Sequence, residues 1–267
     1  MSDPQIALVT GSTGGIGRAV CRRLADEGYI IIAMGRDEAA LHAVVSIDKD
    51  HILPVAFDVN LPQSQWLTKL MDTISWYALP LQIDALVCCH GHQSVTTPTL
   101  KVSLVDEFLP VLATDVVGTF LAAQAVVPYM IRHRRGSMVF VSSLHARQSY
   151  PDRAAYASSK AAVVELAKNL AITFGQYGIR ANAVLPWQVD GSRTQALATQ
   201  ALQRDGTDLY TLYKQRSPLG RLVTEQQVAD AVWFLINNQA MNGAELILDT
   251  GVSASMWFHP FGAQEGA

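Results

Sequence analysis

Short apolar runs alternate along this chain with longer stretches of helical spacing. Ile6–Thr10 (IALVT), Ile30–Met34 (IIIAM), Ile52–Phe57, Ala85–Cys89, Met138–Val141, Ala181–Leu185 and Leu246–Leu248 are mostly apolar rather than alternating. A strand with one wet face alternates apolar and polar residues, whereas unbroken apolar runs suit strands covered on both faces of a parallel sheet. Between the runs lie helical patterns: one reaching about Glu27, Leu61–Trp76 with Pro62 near its start, Val102–Arg132, Ala154–Phe174, and Glu225–Asn237 behind the potential cap Thr224. Pro110 predicts a break or bend in the third of these. Strands and helices joined by right-handed crossovers give a doubly wound sheet.

There is no internal repeat, low-complexity tract or linker, so the chain is expected to form one α/β domain over residues 1–267 with a mostly parallel seven-stranded sheet. Residues 192–219 lack strand character and interrupt the alternation, which predicts a small helical lid over a substrate pocket. In the tail, residues 252–267, Met256, Trp257, Phe258 and Phe261 are too apolar for a free terminus. They are expected to pack on their own domain or on a neighbouring subunit.

Composition narrows the function. With 49% hydrophobic and 16% charged residues the 267-residue chain can bury a large core. A net charge of −3 and a pI near 6.1 give no sign of a nucleic-acid surface, and Arg132–Arg135 (RHRR) suits a solvated helix end. No signal peptide is expected from MSDPQ, and no apolar run reaches the roughly 18 residues of a spanning helix. Three cysteines, an odd number, fit a reducing cytoplasm. Cys88, Cys89, His90 and His92 resemble a metal motif, but successive strand side chains point to opposite faces and the spacing is wrong for zinc. No metal site is expected.

Two motifs carry the chemistry. TGSTGGIGR follows the first strand and opens the first helix, with glycines at Gly11, Gly15 and Gly17. Such a turn lets the backbone approach a pyrophosphate, whose charge then sits at a helix N-terminus. In AAYASSKAA, Tyr156 and Lys160 stand at i and i+4, on one helix face. A phenol is a weak acid at neutral pH, and a neighbouring ammonium favours its ionised form. Ser143 lies just past the end of MVFV, where ligands bind in open α/β sheets, and can hydrogen-bond a substrate carbonyl.

Together these parts resemble the short-chain dehydrogenase/reductase family over nearly the whole chain, Ile6 to about Gly251. The resemblance implies a Rossmann-type fold, a nicotinamide cofactor and hydride transfer between an alcohol and a carbonyl. It makes Tyr156 the general acid/base, Ser143 the group that orients the substrate oxygen, and Lys160 the ligand of the nicotinamide ribose. Cofactor contacts are then expected from Gly11, Ser12, Thr13, Gly15, Ile16 and Gly17, from Asp58 and Val59, from Cys89, His90 and Gly91, and from Tyr156, Lys160, Pro186 and Val189. Where NAD-using members place an acid after the second strand, Gly35 and then Arg36 stand here. Arg36 can pair with a 2′-phosphate, so NADP(H) is preferred. NAD(H) stays open, because Asp37 is near the offset of an NAD acid and Gly14 lacks the cation common in NADP enzymes.

The chain departs from the family at three places. CCHG replaces a segment like NNAG. Asp115 stands where the family has an Asn that holds a proton-relay water toward the lysine, so it joins the catalytic candidates. Trp187 follows Pro186 in place of Gly and narrows the pocket wall. Substrate contacts are expected from His92, Gln93, His145, Arg147, Gln148, Trp187 and Gln188, with Arg147 and the histidines suited to an anionic or polyhydroxylated substrate. A catalytically weak nucleotide-binding regulatory protein on the same fold is the alternative. A homotetramer or homodimer is expected.

Overall fold

The computed structural model describes residues 4–92 and 98–255. Gln93 and the tail residues Met256, Trp257, Phe258 and Phe261 lie outside them. Seven strands run β3-β2-β1-β4-β5-β6-β9 in one parallel sheet: β1 (Ile6–Thr10), β2 (Ile30–Gly35), β3 (Ile52–Ala56), β4 (Ala85–Cys88), β5 (Gly136–Val141), β6 (Ile179–Pro186) and β9 (Glu245–Leu248). The unbroken apolar runs are explained by their two covered faces. Leu8, Ile32, Met34, Leu86, Met138 and Phe140 pack on one side, and Val9, Ile31, Ala33, Val87, Val139 and Val141 on the other. Truncating one of the fully buried residues, such as Leu86, costs about 2–5 kcal/mol.

Strand order reverses between β1 and β4, which opens a crevice beyond their carboxyl ends. The glycine turn leaves β1 there, and Cys89–Gly91 leave β4 beside it. Helices α1 (Gly15–Asp26) and α8 (Glu225–Asn237) cover one face. The other is covered by α3 (Gln63–Trp76), α4 (Leu104–His133) and α5 (Ala154–Phe174).

Several elements differ from expectation. A short helix, α2 (Glu38–Val45), follows β2, and Asp37 caps it by accepting the Ala40 N–H at 3.0 Å. The α4 helix is continuous through Pro110. It relaxes into wider π-type turns at Leu104–Phe108 and Ala113–Val117, the first just before the proline, which has no N–H to give to a regular ladder. By length and composition α4 is also apolar enough to cross a membrane, contrary to the reading of continuous runs. Its most apolar window has a mean hydropathy of 1.6 and is 50% buried in the fold. Residues 192–219 hold two helices, α6 (Ser192–Asp205) and α7 (Leu209–Arg216). They are bracketed by a small parallel pair, β7 (Val189–Asp190) with β8 (Val223–Thr224), which brings Gly191 beside Glu225.

Candidate active site

Two cavities beyond the carboxyl ends of the strands share Gly14, Cys89, His90 and Gly91, and so form one cleft of about 650 and 440 Å³. The larger part reaches from the glycine turn to Arg36, Asp58 and Val59. The smaller part runs from Gly15, Ile16 and Gly17 to Ser143, Tyr156, Lys160, Pro186 and Val189. Gly11 has φ +66°, and a Cβ there would stand 2.4 Å from the His90 nitrogen, so only glycine lets the two strand exits meet. Thr13 lines the cleft, but Ser12 is fully buried behind the turn and donates its hydroxyl to the Met34 carbonyl at 3.0 Å.

The Ser–Tyr–Lys group is held by ties between β5 and α5. Ser142, at the end of β5, donates to the Lys160 carbonyl at 2.8 Å. Ser143 is extended and buried, and its Oγ accepts the His145 N–H at 3.2 Å. The Lys160 ammonium stands 5.6 Å from the Tyr156 ring centroid and 3.1 Å from Asp115 Oδ2. Asp115 is 1% exposed, in the second wide turn of α4. It also accepts the His92 N–H at 2.7 Å and the Ser159 hydroxyl at 2.9 Å. Burial alone would push this carboxyl up, but the Lys160 charge and the two donors hold it below the usual carboxylate range. A buried charge pair therefore occupies the place of the family's Asn.

His90 bridges the strand exits. Its Nδ1 is 2.6 Å from the Thr10 hydroxyl and its Nε2 3.3 Å from that of Thr119. The Thr119 proton goes to the Asp115 carbonyl at 2.6 Å, so Nε2–H donates to Thr119 and Nδ1 accepts from Thr10. Burial, with the Lys160 charge nearby, pushes the imidazole down to about 4, so it is neutral at working pH. Cys88 points into the core, where burial raises its thiol to about 12, and the same cause raises Cys89. Neither is a reactive thiolate.

The family model for short chain dehydrogenases matches residues 5–202. The chain belongs to that family. Among similar proteins of this family, 2-(R)-hydroxypropyl-CoM dehydrogenase of Xanthobacter autotrophicus is 31% identical over 94% of this chain and 99% of its own. The 2,3-dihydro-2,3-dihydroxybenzoate dehydrogenase of Bacillus subtilis is 35% identical over 88% and 90%. Among solved structures, gluconate 5-dehydrogenase from Burkholderia cenocepacia in complex with NADP and tartrate superposes with TM-score 0.84 at 27% identity, covering 96% of this chain and 97% of its own. NAD+-bound xylitol dehydrogenase gives 0.85 at 25% identity, covering 93% and 99%.

The Tyr156 part of the cleft in this short-chain dehydrogenase is lined by His145, Trp187 and Gln188, while His92 lines the part that reaches Arg36. Trp187 donates its indole N–H to the Tyr150 hydroxyl at 2.8 Å and meets Tyr213 edge-on at 5.9 Å. His145 stands edge-on to Tyr156 at 5.4 Å, and burial with the Arg153 charge pushes it down to about 4. Arg147 is placed elsewhere: it points to the sheet edge and pairs with Glu245, Nε to Oε2 at 2.6 Å. Sequence reasoning missed Arg153, Arg193 and Glu225, which all line the cleft. Arg153 had a visible signal in its place just ahead of Tyr156. Arg193 and Glu225 had none, because only the β7–β8 pairing carries the start of α6 and the start of α8 to the glycine turn.

Proposed function

We propose that the protein is an NADP(H)-dependent carbonyl reductase or alcohol dehydrogenase of small molecules. One observation carries the reading: Ser143, Tyr156 and Lys160 face the same cleft as the glycine turn. The residues fit a dinucleotide, since Gly11 is a position that a Cβ would close and the cleft runs unbroken from Arg36 to Tyr156. Gly11, Thr13, Gly15, Ile16 and Gly17 hold the pyrophosphate, Asp58 and Val59 the adenine side, and Cys89–Gly91, Pro186, Val189 and Lys160 the nicotinamide riboside. The bound nicotinamide supplies or accepts the hydride.

In reduction, Tyr156 donates its phenolic proton to the substrate oxygen, and the Lys160 ammonium stabilises the phenolate left behind. Ser143 donates a hydrogen bond to that oxygen. Asp115 fixes the ammonium beside the phenol, in place of a water held by an amide. Preference for NADP(H) is supported by Arg36 lining the cleft and by Asp37 accepting the Ala40 N–H as a helix cap. Apolar Leu104, Val105, Leu109, Val117 and Phe120 exposed on α4 support a homodimer or homotetramer.

Equilibrium binding of NADPH and NADH, followed by ketone panels read at the reduced-nicotinamide band, tests the reading. NADPH should bind tenfold or more tightly than NADH, and Arg36→Ala should erase most of that advantage. Equal binding of the two by the wild type sinks the cofactor preference. Failure of every ketone and alcohol in a broad panel, with NADPH bound, sinks the enzyme.

A further inference from the structure

Two arginines, Arg153 and Arg193, line the Tyr156 end of the cleft. Arg193, in the first turn of α6, holds its guanidinium carbon 5.7 Å from the Tyr156 ring centroid. No carboxylate among the described residues forms an ion pair with it. Arg153, at the start of α5, lines the same cavity, and its charge reaches both His145 and Tyr213. Among the described residues lining that cavity Glu225 is the sole carboxylate, and it lies against Gly15 and Gly191. The Lys160 charge is already balanced by Asp115. Trp187, Tyr213 and His145 add uncharged aromatic rings to the same wall.

Two guanidiniums beside the proton donor, walled by aromatic rings, suit a small anion rather than a neutral polyol. Guanidinium pairs with carboxylate, sulfonate or phosphate through charge-assisted, often bidentate hydrogen bonds, and these strengthen where rings exclude water. We propose that Arg153 and Arg193 form an anion-binding subsite, so that the substrate is a ketone or secondary alcohol carrying a carboxylate, sulfonate or phosphate a short chain from the reacting carbon. The proposal rests on the oxidoreductase reading and names its substrate class. The other source of the same chemistry is the cofactor's own phosphates, and the experiment separates the two.

Matched pairs of ketones are reduced with NADPH by wild type, Arg193→Ala, Arg193→Lys and Arg153→Ala. The pairs are acetoacetate with acetoacetamide, 2-oxopropanesulfonate with its methyl sulfone analogue, and dihydroxyacetone phosphate with dihydroxyacetone. In the wild type the charged member of at least one pair should be favoured about 10- to 100-fold in kcat/KM. Arg193→Ala should remove that advantage mainly through KM and leave neutral ketones and the NADPH Kd within about twofold, with part of the loss restored in Arg193→Lys. In parallel, acetate, methanesulfonate and inorganic phosphate are titrated into the enzyme–NADPH complex by calorimetry. At least one should bind, and bind more weakly in both alanine variants.

Equal use of charged and neutral partners overturns the subsite. So does a loss in Arg193→Ala that falls on NADPH binding, which would assign the guanidinium to the cofactor, and so does the absence of binding by all three probe anions. If no ketone of either kind is reduced while NADPH binds, the reductase reading fails, and the calorimetry still decides whether the two arginines hold an anion.

Discussion

At the glycine turn the cleft is walled by backbone, with Gly11 pressed against the His90 nitrogen and uncharged threonines on either side of the imidazole. At the Tyr156 end it is walled by side chains from different elements: Lys160 from α5, backed by Asp115 of α4, Arg153 from the loop before α5 and Arg193 from α6. In the proposed reading the first end, which tolerates little added volume, binds by shape and N–H groups, and the second sets charge and proton position, each of its members changeable without filling the turn. Binding and chemistry should therefore separate on mutation.

The sharpest separation is expected from Tyr156→Phe. Removing the proton donor should lower kcat about 1000-fold, while NADPH binding stays within about twofold, as read by fluorescence titration. A collapse of NADPH binding in that variant would show that the two ends are not independent.

Asp115 is where the charged end holds the fold as well. Asp115→Leu leaves the Lys160 ammonium buried without its partner, and should lower unfolding free energy by about 3 kcal/mol in urea melts. Asp115→Asn keeps an acceptor for the His92 N–H but sets an amide NH2 where Oδ2 accepted from Ser159 and paired with Lys160, and should cost about half as much. Adding Lys160→Met to Asp115→Leu should recover most of the loss, since the apolar pair leaves no charge behind. Additive losses in that double variant would mean that the ion pair is not what Asp115 contributes.

The same division explains what the chain made legible. The glycine spacing, the apolar runs and the Tyr156–Lys160 step are local patterns, set by backbone sterics and by the helical repeat, and they point to the sheet order and to the cofactor end. Helix α2 was missed because only Leu41 and Val44 among its residues are buried, too little apolar periodicity to register. Pro110 leaves the helix unbroken because the wider turn before it absorbs the missing N–H. Arg147 looked like a substrate ligand from its place in the loop, yet Glu245 lies on a strand far along the chain and captures it. Arg193 and Glu225 reach the cleft through long-range pairing that no window of sequence contains.

Acid should strike both ends. His90 and His145 are both pushed down to about 4 from an ordinary 6.5, chiefly by burial. The unfolded chain takes up protons at these sites that the folded chain refuses. Stability is therefore full above about pH 6.5, falls as the pH drops through the range down to about 4, and levels off below it. His90→Gln should remove part of that pH dependence in thermal melts, and an unchanged profile would contradict the buried neutral imidazole.

Glu225 sets a carboxylate against the glycine turn. A Cβ on Gly15 would fall 1.7 Å from its Oε1, and one on Gly191 2.2 Å away. Burial raises its pKa, and Asp190 adds to this against the opposing Arg18 charge. A pyrophosphate nearby favours the protonated form further, so NADPH should bind less tightly as the pH rises through the Glu225 titration. Glu225→Gln should tighten binding about threefold to tenfold near neutral pH and flatten that trend. A weaker-binding Glu225→Gln would make the carboxylate a cofactor ligand instead.

The smallest effect belongs to the most conspicuous ion pair, Arg147 with Glu245, which Lys168 joins at 2.8 Å. Glu245 is held down to about 2, first by its hydrogen bond from Arg147. A depressed carboxylate adds stability above its ordinary range and loses it as the pH falls toward about 2. Arg147 is 39% exposed, however, so water screens the pair and most of the shift does not become stability. Arg147→Ala should cost less than about 1 kcal/mol, less again in high salt, and should leave kcat/KM for charged and neutral ketones alike unchanged. A selective loss on the charged ketones would return Arg147 to the substrate site and move the positive end of the cleft from α6 to the sheet edge.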